Sequence, residues 1–159
     1  MTEKTENFWD LIENITICMV TTNDNGSLRS RPMASKVDRE TGLIHFLTES
    51  GTPKLEELHQ DSDLALSFAD PDNHCYVSVS GRGVVSKDRE LIKKLWGPFC
   101  DVWFEGDADT ADVSVISVHP EQGDYWKNTS GKVKTAFEMA KFYFIDGVPD
   151  IGENRRVTF

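Results

Sequence analysis

Apolar residues near the start of the chain fall at Phe8, Leu11, Ile12 and Ile15, a spacing that lays one oily stripe along a helix over 5–14. The period then changes. Residues 15–22 (ITICMVTT) are rich in β-branched side chains, which predicts a buried strand. A turn over 23–27 (NDNGS) follows, and its Asn25-Gly26 pair suits a tight hairpin because both residues tolerate positive φ. A second strand is expected from Leu28 to Val37, a turn over 38–42 (DRETG), and a third strand over 43–48. Two hairpins in succession predict an antiparallel meander.

The helical period returns in 49–60 (ESGTPKLEELHQ), with Thr52 as N-cap, Pro53 at the first helical position and Leu55 and Leu58 facing inward. Residues 63–69 predict a strand, and 75–85 (CYVSVSGRGVV) a longer one, with Tyr76, Ser78 and Ser80 alternating against Val77 and Val79. Residues 88–96 (DRELIKKLW) begin with acids and end with lysines, as the helix dipole favours, and Gly97-Pro98 ends them. An acidic stretch over 101–112 reads as a solvated loop. Residues 113–126 read as a strand pair, or as one long strand interrupted at Pro120, and 132–144 as helix or strand. The polar tail, 146–159, is expected to be a loop or an extended arm. About six strands joined mostly by short turns, with a few short helices, imply a mainly β protein: a closed or nearly closed antiparallel barrel with helices packed outside.

Composition narrows the function classes. The 159 residues suit one domain and carry 27 acids against 17 Lys and Arg, a formal charge of −10. That balance disfavours nucleic acid and anionic membranes as partners. No apolar run is long enough to span a bilayer and no signal-peptide core is evident, so a cytoplasmic location is expected. Cys18, Cys75 and Cys100 form no C-x-x-C pair and the four histidines are dispersed, so no metal site is expected. Gly81-Arg82-Gly83 begins a dinucleotide-like motif, but Ser86 breaks it and the glycines fall inside a strand pattern; a bulge or close backbone approach explains them better.

One local pattern runs against the acidic background. Residues 27–37 hold Arg29, Arg31 and Lys36 and no acid, and Arg29, Arg31 and Met33 share one strand face. Like charges about 7 Å apart repel unless an anion lies beside them. A charge-blunted edge strand, which Pro32 also suits, and an anion site both satisfy that pattern. Lys54, placed in the first turn of its helix where the dipole disfavours a cation, favours the anion site. Guanidinium, ammonium, the Thr52 hydroxyl and helix N–H groups together complement a phosphate monoester, so a phosphorylated small molecule is the leading ligand class. Trp103 and Trp126, both beside turns, could cover a flat ligand or meet a subunit partner, although ordinary burial accounts for them as well.

The segments LRSRPM (28–33), FLTESGTPKLEEL (46–58), ADPDNHCYVSVSGRGVVSKDRELIKKLW (69–96), VWF (102–104), DYW (124–126) and GK (131–132) resemble the pyridoxamine 5′-phosphate oxidase-like FMN-binding split barrels, in particular the general stress protein 26 branch. The resemblance spans about 7–145. It implies a six-stranded antiparallel split β-barrel that forms a homodimer with two flavin sites at the interface. Arg29, Ser30, Arg31, Pro32 and Met33 would run along FMN, and Phe46, Leu47 and Thr48 would meet the isoalloxazine edge. Thr52 and Lys54 would hold the phosphate and Tyr76 would contact ring or ribityl. Trp126 and Trp103 would come from the other subunit. The chain lacks the R-L-H-D-R-type segment of pyridoxamine phosphate oxidases, so vitamin B6 oxidation is not expected. A flavin-dependent oxidoreductase of unassigned substrate and a non-catalytic flavin-binding or flavin-buffering stress protein both remain open, with heme or deazaflavin as a third ligand class. No side chain stands out as a catalytic acid or base; Tyr76 and His45 are the best polar candidates.

Overall fold

In the computed structural model, residues 3–128 and 152–159 are described. The chain begins with α1 (Glu3–Asn14), whose Phe8, Trp9 and Ile12 are buried. The hairpin β1 (Ile17–Asp24) and β2 (Ser27–Ala34) turns at Asn25 and Gly26, both at positive φ, 52° and 91°. Then β3 (Lys36–Asp38) pairs with β4 (Leu43–Glu49). α2 (Pro53–Gln60), β5 (Asp63–Asp70) and β6 (Cys75–Ser86) follow, and then α3 (Arg89–Leu95), α4 (Pro98–Trp103), β7 (Val113–Lys127) and β8 (Glu153–Thr158).

The strands form one sheet in the order β2-β1-β5-β6-β7-β4-β3, all antiparallel, with β8 added to β7. Its two end strands are consecutive in sequence. β2 and β3 are separated only by Ser35, so the chain passes from one end of the sheet to the other and curls it into a barrel. Counted this way, β2 with β3, β1, β4, β5, β6 and β7 make the six-stranded barrel, and β8 is an additional strand. The expected strand over 28–37 is therefore two strands serving different partners. The expected meander breaks at the same place, because β2 pairs with β1 alone and forms no ladder with β4.

The core lies inside the curl. Val20, Ile44, Phe46, Leu66, Val77, Val79, Ile116 and Val118 point inward and are buried, with Leu55 and Leu58 of α2 packed on them. A second cluster (Ile92, Ala111, Val113 and Val115) lies outside the barrel under α3 and takes in Leu47, Trp96 and Phe104. β7 is one long strand with a bulge: Gly81 pairs with Pro120 and Ser80 with Gln122, which leaves Glu121 as the extra residue. Gly81 is needed there, because a Cβ would overlap the His119 carbonyl and stand 3.0 Å from Cα of Pro120.

One sequence expectation is corrected here. Part of the acidic 101–112 loop is helical, since α4 runs to Trp103; Pro98, read as a helix breaker, opens that helix with Gly97 as N-cap. Of the tail, expected as a loop or an extended arm, Glu153–Thr158 is extended and adds a strand to β7. The reading for 132–144 lies outside the described residues. No helix among the described residues is long and apolar enough to cross a membrane.

Candidate functional site

Register fixes which way the basic residues of β2 point. Met33, Arg31 and Arg29 stand opposite Cys18, Val20 and Thr22, all buried, so this row faces the barrel side. Ser30 and Pro32 stand opposite Thr21 and Met19 on the outer face, where the Ser30 and Thr21 hydroxyls lie 2.7 Å apart. Met33 packs against the core.

α2 brings the other half of the cluster. Thr52 is its N-cap in extended conformation and Pro53 its first residue, as the sequence predicts. The Thr52 hydroxyl, however, donates to the Glu49 carbonyl at 3.2 Å and makes no cap bond, so no side chain caps the first turn of the helix. Lys54 is half-buried, and its ammonium is held below the ordinary lysine value by burial first and by the charge of Arg31 second, with Glu49 and Glu57 opposing. β2 and α2 thus set Arg31 and Lys54 within electrostatic reach of each other.

The like-charge problem on β2 is met from within the chain. Glu57, on the same helix and only 5% exposed, accepts from Arg31 Nη2 at 3.0 and 3.2 Å and from the Thr22 hydroxyl at 2.5 Å. Arg31 Nη1 donates to Thr22 Oγ1 at 2.5 Å, and Arg29 lies 3.5 Å from Glu57 and 3.3 Å from Asp24. A buried carboxylate left alone would cost several kcal/mol, so these contacts are what allow Glu57 to be there. Sequence reasoning missed Glu57 and Thr22. The one available signal was helical spacing, which puts Glu57 a turn after Lys54 and beside Leu58, while Glu56 points away.

The split in the barrel lies next to this cluster. Among the described residues, β3 covers β4 only as far as His45; from Phe46 onward β4 pairs with β7 alone, and β2 approaches β4 without a ladder. One backbone edge of the 46–48 segment therefore faces the gap with no described strand on it. Its side chains are committed elsewhere. Phe46 is fully buried in the barrel, Thr48 points inward and is 5% exposed, and Leu47 packs under α3. What this segment offers the gap is therefore backbone more than side chain.

The aromatic candidates lie apart from the basic ones. Tyr76 and Trp126 are cross-strand partners on the outer face, each 41% exposed. Trp103 is 65% exposed on α4, with its ring 5.6 Å from that of Phe99. Within one chain the fold gathers Arg29, Arg31 and Lys54 around Glu57, with Thr52 at the start of the same helix, and leaves Tyr76 and Trp126 on the opposite face of the sheet. A cavity of about 420 Å3 opens beyond the start of α2, lined by Thr52, Pro53, His59, Lys87 and Ser114 among others; the arginines and Lys54 do not reach it. His45, the other polar candidate, is buried on the outer side of β4 with Nδ1 2.9 Å from Ser117 Oγ.

Comparison with known proteins agrees with this architecture. Protein bli-3 of Neurospora crassa is 34% identical over 131 residues, 72% of this chain; the chain spans only 62% of that relative's length. A candidate general stress protein 26 from Jannaschia sp. CCS1 superposes with a TM-score of 0.80 at 29% identity, covering all of both chains. A Clostridium acetobutylicum protein related to general stress protein 26, of the pyridoxinephosphate oxidase family, shares the fold at a TM-score of 0.72 and 21% identity, over 100% of this chain and 97% of its own. The model of the pyridoxamine 5′-phosphate oxidase like family matches residues 3–150, and the chain belongs to that family.

Proposed function

We propose that this protein binds FMN as a homodimer, with the flavin phosphate held by Arg31, Lys54 and the start of α2. The observation that carries this reading is the meeting of Arg31 and Lys54 beside an uncapped helix start and an open backbone edge of β4. Two cations and the first-turn N–H of Lys54 complement a phosphate dianion, the neighbouring Pro53 having no N–H and Leu55 N–H donating to the Thr52 carbonyl. A strand edge offers both donors and acceptors to the rim of a flat heterocycle. The residues fit the group.

Closure by a second copy accounts for the separation of aromatic and basic residues. The outer sheet face around Met19, Ser67, Ser78, Tyr76 and Trp126 is exposed and mostly uncharged, in a chain where 28% of residues are charged; its acid, Asp124 opposite Ser78, is paired with Arg156 at 2.8 Å. Small and apolar side chains with two aromatics suit an interface that excludes water. Such an interface would let the partner's Trp126 stand over a flavin anchored in this chain's gap.

Bound flavin would supply hydride or electron transfer, which no side chain here can perform. The chain's own part is to anchor the phosphate, orient the ring along Phe46–Thr48 and keep water off it. We read the protein as an oxidoreductase of unassigned substrate. Flavin binding without turnover is the alternative, favoured by the position of His45, which faces away from the gap. Reconstitution with FMN followed by anaerobic NAD(P)H separates the two: bleaching of the flavin band supports the enzyme, and a bound but unreduced flavin supports the binder. Failure to bind FMN would remove both.

A further inference from the structure

We infer that Glu57 is the built-in counter-charge of the phosphate cradle, and that it sets how strongly the site prefers a phosphorylated flavin over the same flavin without its phosphate. This rests on the flavin reading above. Glu57 is on the wrong side of the charge balance for an anion site, yet it is buried at the centre of the cluster. Its contacts explain why. It takes one edge of the Arg31 guanidinium, is fixed by the Thr22 hydroxyl and draws in Arg29. Lys54 lies one helical turn away and is attracted by the same carboxylate.

Without Glu57, three cations would crowd a half-buried spot whenever no ligand is present. With it, Arg29, Arg31 and Lys54 keep a residual charge of two, which matches a phosphate monoester dianion; Asp24 and Glu49 sit at the more solvated rim, where water screens them. Arg31 has five N–H donors, and those turned to Thr22 and Glu57 use only part of the set, so the remainder stays available to a ligand. Glu57 thus holds the arginine in place and at the same time subtracts from the field that an incoming phosphate feels.

The measurement is the ratio of riboflavin to FMN dissociation constants. The two ligands share ring and ribityl chain, so the ratio isolates the phosphate. Glu57→Gln keeps an acceptor oxygen and removes the charge, and we expect the ratio to rise about tenfold because one repulsive charge near the phosphate is gone. A merely structural role would weaken both ligands together and leave the ratio where it was; an unchanged or lower ratio overturns the inference. If Glu57→Gln does not fold, Glu57→Asp keeps the charge but draws it back from the arginines, and a smaller rise is expected, with no rise counting against the inference. Wild-type protein that binds FMN with an unmoved variant ratio refutes this inference alone. Wild-type protein without FMN affinity refutes the flavin reading and this inference with it.

Discussion

Two arginines on one strand face set up a charge problem that the sequence could pose but not solve. Arg29 and Arg31 were legible as a pair needing an anion, because strand geometry alone places them together. The internal anion, Glu57, is 26 residues from Arg31 and on another element, so helical spacing could tie it to Lys54 but not to the arginines. His45 shows the converse: the sequence offered it as a chemical candidate, and the structure buries it against Ser117. Burial depresses its affinity for a proton, with Lys94 and His119 adding to the effect and Asp38 opposing it. A folded-state value below the ordinary 6.5 means that the unfolded chain takes up a proton first as pH falls. The melting temperature should therefore drop as pH is lowered from about 6.5 toward 5, before most carboxylates titrate. His45→Gln should flatten that slope; an unchanged slope in the variant would assign the effect to other groups.

Elements with both a start signal and a period were read correctly. The Asn25-Gly26 hairpin, α2 with its Thr52-Pro53 entry and the alternating strand β6 all follow from short-range stereochemistry. Elements defined by their partners were not. Ser35 divides a continuous strand pattern because β2 and β3 serve opposite ends of the sheet, which is a property of closure. The polar β8 (ENRRVT) buries only Val157 and takes its order from the edge of β7. α4 was hidden by reading Pro98 as a stop when proline also begins helices. The bulge expected at Gly81 is where the β6–β7 register shifts. Gly81→Ala should destabilise the fold by about 1–3 kcal/mol, since the added methyl meets backbone that cannot rotate away. Chemical denaturation reads the loss, and a variant of wild-type stability would mean that the two strands can part at that point.

For the whole molecule, the separation of Tyr76 and Trp126 from the basic cluster is the fact that most needs an explanation. Neither composition nor motif spacing shows that these two groups of candidate residues lie on opposite faces of one sheet; only topology does. Under the dimer proposed above, a second copy seated on that outer face, where Asp124 is already paired with Arg156, would resolve it. Ser67→Arg places a long cation between Met19 and Ser78 on that face and should yield a folded 18.0 kDa monomer by light scattering, where the wild type is expected at twice that mass. A wild-type monomer would contradict the dimer. The central claim is that Arg31 and Lys54 anchor a flavin phosphate, and a fluorescence titration of FMN into wild type and the Arg31→Ala, Lys54→Ala double variant tests it most directly. Charge-assisted contacts contribute about 1.5–3 kcal/mol each, so the account predicts saturable wild-type binding weakened more than about a hundredfold in a variant with unchanged circular dichroism. Equal FMN affinity in the two folded proteins would contradict it.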